Sequence, residues 1–86
     1  MKRFEYVITY ALGIHARPAG LLAREARAYP DTVLTLVRGG DEARLTQLMR
    51  LMSLGVRQGD RVTVTAEGGR EDEAIAAMEA IFRAHL

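Results

Sequence analysis

The chain contains only two prolines, Pro18 and Pro30, and they bracket the segment that most limits how it can fold. Pro18 suits the first turn of a helix, where its missing N–H has no intrahelical partner to lose. Pro30 disfavours helical geometry at Tyr29 and so stops a helix there. Between them Leu21, Leu22, Ala26 and Tyr29 recur at three- and four-residue steps, which gives an apolar face. Alanines raise helix propensity throughout. These features predict a helix from Ala16 to Tyr29, with Arg17, Arg24 and Arg27 on or near its polar side.

Strand signals surround this helix. Residues 2–9 alternate apolar and polar at Phe4, Tyr6 and Ile8, the period of a half-buried strand. Residues 32–38 are rich in β-branched side chains. Gly39-Gly40-Asp41 is a turn signal, after which Glu42 to Leu45 returns as a short strand. Arg61 to Ala66 has the cleanest alternation in the chain, set between turns at Gln58-Gly59-Asp60 and Glu67-Gly68-Gly69.

Two further helices are predicted. Thr46 fits the N-cap of a short one that Gly55 ends. Within it Leu48, Met49, Leu51 and Met52 are too many apolar residues for one face. Either all four are core, or Met49 and Met52 line a contact surface where flexible thioethers adapt to partners. The last helix runs from Arg70 to His85 with a stripe of Ile75, Met78, Ile81 and Phe82. Glu71, Asp72 and Glu73 complement the positive end of its dipole and Arg83 the negative end. His85 reads as a dipole partner or an exposed end residue. The order is β-α-β-β-α-β-α. This implies an α+β fold, an antiparallel sheet with three helices on one face, and one domain over residues 1–86.

Composition excludes several functions. No cysteine is present, so disulfides and thiolate–metal sites are ruled out. No apolar run approaches the ~20 residues that span a bilayer, so a soluble cytoplasmic protein without membrane insertion is expected. The net charge of +1 gives no basic excess to drive nucleic-acid binding. Lys2 is the only lysine and asparagine is absent, which hints at the source and not at activity.

The chemistry converges on His15, just before the Pro18-marked helix start. The first N–H groups of a helix lack internal partners and carry the positive end of its dipole, so anions bind there. The same field disfavours an imidazolium, leaving a neutral, nucleophilic ring expected near pH 7. Arg17 adds a fixed cation suited to phosphate. An imidazole so placed is able to accept and release a phosphoryl group. The plainer reading, a histidine capping a helix beside a solvated arginine, remains open on these residues alone. No second histidine or carboxylate lies near His15 in sequence, so neither a metal nor a cofactor is expected. No nucleophile–base–orienter set points to a hydrolase.

Gly13-Ile14-His15-Ala16-Arg17-Pro18-Ala19 resembles the active-site signature of the HPr family, the histidine-containing phosphocarriers of the bacterial phosphoenolpyruvate:sugar phosphotransferase system. Leu48-Met49-Arg50-Leu51-Met52-Ser53-Leu54-Gly55-Val56-Arg57-Gln58-Gly59 resembles that family's second-helix segment. The resemblance implies an open-faced β-sandwich with four antiparallel strands and three helices. It implies a carrier, not an enzyme, phosphorylated on His15 Nδ1 by phospho-enzyme I and donating to sugar-specific IIA proteins or domains. Arg17 would neutralise phosphate charge, and the Ala16 and Arg17 amides would cradle it. Leu48, Met49 and Met52 would form the docking patch, ringed by Arg24, Arg27 and Arg50, on a monomer. A regulatory relative acting without sugar transport is the alternative. The family pattern is broken in four places, two of them the Gly39-Gly40 hairpin, one residue longer than usual, and Arg50, where Gram-positive relatives often have glycine. The serine that a dedicated kinase modifies in many Gram-positive relatives is replaced by Gln47, with Thr46 adjacent. The small polar residue common at position 12 is replaced by Leu12.

Overall fold

All 86 residues are described in a computed structural model. Strand β1 is Lys2–Val7, helix α1 Ala16–Ala26, β2 Thr32–Arg38, β3 Asp41–Arg44, α2 Leu48–Ser53, β4 Arg61–Gly68 and α3 Glu71–His85. This is the order expected from the sequence. The strands form one antiparallel sheet in the order β1-β4-β2-β3. The strand with the cleanest alternation, β4, is central and pairs on both sides.

The period of two decides which face is covered. Val62, Val64 and Ala66 of β4 and Leu34 and Leu36 of β2 are buried, with Ala43 of β3 beside them. Their neighbours Val33, Glu67 and Arg44 face solvent. The helices lie on the apolar face, where α3 packs on β1, β4 and β2, and α1 packs on α2 and α3. Ala74, Met78 and Phe82 of α3 are fully buried, with Ile75 and Ile81 partly buried beside them. Phe4 and Tyr6 meet the Phe82 ring edge-on, with centroids 5.4 and 5.5 Å away. One core of 19 residues draws on six of the elements and the loops between them, and β1 adds the partly buried Phe4 and Tyr6 against it.

Several boundaries move. Helix α1 ends at Ala26, not Tyr29, because Pro30 lacks an N–H and Tyr29 avoids helical geometry. Arg27 caps the helix, and the Ala28 and Tyr29 amides bond three residues back to Glu25 and Ala26 in a tightened turn. In α1 the buried set is Pro18, Ala19, Leu22, Ala23 and Ala26, while Leu21 is only half-buried. β1 stops at Val7, since the Thr9 and Tyr10 amides turn away to the Leu86 main-chain oxygen. β4 runs on to Gly68, because Glu67 and Gly68 still pair with β2. Asp41, expected in the turn, already pairs with Arg38 across Gly39-Gly40.

Thr46 is not the N-cap of α2. Gln47 holds that place, without a side-chain capping bond, and its carbonyl accepts the Leu51 N–H at 2.9 Å. The Gln47 amide is still bonded to the Arg44 carbonyl, so the exit turn of β3 uses up Leu45 and Thr46 before the helix begins.

Candidate functional site

His15 is the N-cap residue of α1, with extended backbone (φ −111°, ψ −168°) and no side-chain capping bond. Its carbonyl accepts the Ala19 N–H at 3.0 Å, starting the helix. The Ala16 and Arg17 amides therefore have no intrahelical partner, and Pro18 supplies no third N–H. Two open backbone donors sit at the positive end of an 11-residue helix, next to the imidazole.

Gly13 sets the approach to this corner. Its φ of +63° is a conformation side chains rarely adopt, and a Cβ there would collide with the Val56 carbonyl. The adjoining Ile14 amide donates to the same Val56 oxygen at 3.1 Å. The segment carrying His15 is thus pinned to the loop that follows α2. That loop is held in turn by Arg38, which donates to the Leu54 carbonyl at 2.6 Å and pairs with Asp60 at 3.2 Å.

The imidazole is half-buried and stacks on Tyr10, with centroids 5.6 Å apart and planes 28° off parallel. Nε2 is buried with no hydrogen-bond partner, whereas Nδ1 makes no hydrogen bond and is not buried. Of the two ring nitrogens, Nε2 is therefore the more deeply buried. Tyr10, His15, Arg17, Pro18 and His85 help to line an open pocket of about 240 Å3. Arg17 is exposed and makes no ion pair, so its guanidinium is free for an anionic ligand.

The crowded short helix splits its apolar residues. Leu51 is fully buried in the core, Leu48 and Met52 are partly buried against it, and Met49 is 75% exposed. All-core burial is therefore excluded. Arg24 is exposed in the last turn of α1. Arg27 donates to the Thr46 carbonyl at 3.4 Å, and it lines a second pocket together with Tyr29 and Arg44. Arg50 donates to the Glu42 carbonyl at 3.1 Å, which ties α2 to β3. Gln47, Thr46 and Leu12 are exposed, and Leu12 makes no hydrogen bond that orients the imidazole. Stacking on Tyr10 supports the ring instead.

Tyr10, Leu21 and His85 belong to the His15 pocket without having been singled out for it from the sequence. Tyr10 carries no local signal beyond its place in a loop. His85 comes from the far end of the chain, so spacing does not reveal it.

The family model described as the PTS HPr component phosphorylation site matches residues 2–84. The chain is 42% identical over 80 residues to a phosphocarrier protein HPr of Mycoplasma genitalium, a match covering 93% of this chain and 91% of that one. Its fold is similar to that of a Mycoplasma histidine-containing phosphocarrier protein, with a TM-score of 0.90 at 31% identity over 93% of this chain and 90% of the other. It is also similar to Crh, the Bacillus subtilis catabolite repression containing protein described as a swapped-domain dimer. That match has a TM-score of 0.77 at 30% identity and covers 100% of this chain and 98% of the other.

Proposed function

Because the chain belongs to the HPr family, the phosphocarriers of the phosphotransferase system, we propose that it carries its phosphoryl group on Nδ1 of His15, between phospho-enzyme I and sugar-specific IIA proteins. It is a carrier and not a catalyst. The observation that carries the assignment to Nδ1 is the accessibility of that nitrogen beside the open Ala16 and Arg17 amides, while Nε2 is buried. The Nδ1 lone pair forms the new N–P bond as the donor's bond to phosphorus breaks and its electron pair returns to the donor. Arg17 and the two amides then hold the phosphoryl oxygens.

Docking falls to Leu48, Met49 and Met52, with Arg24, Arg27 and Arg50 around them. The exposure of Met49, an apolar side chain on a helix that buries only Leu51, supports this. The same face meets donor and acceptor in turn, so each complex is transient. Residues 1–86 work as one domain. The chain acts as a monomer in the cytoplasm, a reading supported by a core closed within a single chain and by the absence of any helix long and apolar enough to cross a membrane. Gln47 removes the usual serine switch.

Incubation with enzyme I and phosphoenolpyruvate tests the assignment. The expected result is an acid-labile gain of one phosphate that is absent in His15→Ala, and no such adduct on the unaltered chain would overturn it. Sedimentation tests the oligomeric state, with a swapped dimer as the contrary result. A regulatory role is the second reading, prompted by the likeness to Crh. Transfer onward to a sugar IIA protein separates the two, since a regulator would keep the fold and fail that step.

A further inference from the structure

The chain has two histidines, and the fold brings both to one pocket. His85, the last residue of α3, lines it together with His15 and Arg17. No carboxylate side chain lines this pocket, and the His85 ring has no hydrogen-bond partner of its own in the protein. A separate contact holds the end of the α3 backbone beside this pocket. The Thr9 and Tyr10 amides and the Thr9 hydroxyl donate to the main-chain oxygen of Leu86 at 2.6, 2.9 and 3.0 Å. This clasp ties the end of α3 to the loop whose Tyr10 ring stacks on His15.

We propose that His85 is a further phosphate-contacting residue, its imidazole donating a hydrogen bond to an oxygen of the phosphoryl group on His15. The proposal rests on the reading that His15 carries that group. An imidazole has an N–H to donate in either protonation state. Arg17 and the open amides belong to the first turn of α1, whereas His85 approaches from α3, so the oxygens are met by donors from two elements. His85 makes and breaks no covalent bond. It holds the phosphoryl oxygens and so raises the share of phosphoryl group that rests on this chain.

The test uses the full chain phosphorylated with enzyme I and phosphoenolpyruvate. Ring 1H–15N spectra of His85 are recorded before and after, and the equilibrium partition of phosphoryl group between enzyme I and the chain is measured. The His85 ring resonances are expected to move on phosphorylation. His85→Ala is expected to lower the partition about two- to fivefold, the strength of an exposed charged contact, and His85→Lys, which keeps a donor, to restore it. A silent His85 ring, an unchanged partition in His85→Ala, or a loss that His85→Lys does not restore would each overturn the proposal. If no adduct forms on His15, the carrier assignment fails and this proposal fails with it. An adduct with any of the other negative results removes only the role of His85.

Discussion

Gly13 lies against the backbone of Val56 so closely that no side chain fits between them, and the Ile14 amide donates to that same Val56 carbonyl. Two distant loops are thereby locked together one residue before His15. Gly13→Ala adds a Cβ to a left-handed backbone and pushes it into the Val56 oxygen. We expect a loss of about 2–3 kcal/mol, from the conformational penalty and the forced shift together. Urea denaturation measures it, and a loss below about 1 kcal/mol would mean that the loops separate easily.

The two faces of α2 should respond oppositely. Leu51→Ala empties a fully buried position and should cost about 2–5 kcal/mol. Met49→Ala alters a side chain that is 75% exposed and should leave stability within about 0.5 kcal/mol. The same Met49→Ala change should raise the KM of enzyme I for the chain. Denaturation curves and transfer assays on both variants check this pair, and an unaltered KM would remove Met49 from the docking surface.

Thr46 makes no capping bond, and the N-cap place belongs to Gln47. Thr46→Ala should therefore change stability by less than about 0.5 kcal/mol, where loss of a true cap costs about 1 kcal/mol. A thermal melt showing the larger loss would restore Thr46 as a capping residue.

Acid should weaken the fold through a few identifiable carboxylates. The Arg57 amide and the Arg38 guanidinium hold Asp60 below its ordinary range. Glu71 is lowered chiefly by the Gly68 amide and Glu73 by the Arg70 guanidinium. A carboxyl lowered in the folded state stabilises above its unfolded value, and the contribution disappears as pH falls through the folded value. Urea midpoints should decline from about pH 5 to about pH 2. Asp60→Asn should flatten part of that decline, and an acid slope identical to that of the unaltered chain would contradict the role of Asp60.

Local signals carried the secondary structure because they depend on neighbours in sequence. The alternation of residues 61–66 marks the central strand, and Pro18 places a helix start beside His15. Boundaries moved where a tertiary partner outbid the local pattern, as when the Thr9 and Tyr10 amides leave the strand for Leu86.

The sequence by itself determined the element order, the family signature and the place of His15 at an anion-friendly helix start. Only the tertiary structure decided which of Leu48, Met49, Leu51 and Met52 faces the core, since an apolar residue on every side of a short helix leaves periodicity nothing to select. Tertiary structure also decided that Tyr10 stacks on His15, that Nδ1 and not Nε2 is accessible, and that His85 shares the pocket. Each of these depends on the sheet and on α3 bringing distant residues together, and no local spacing encodes that approach.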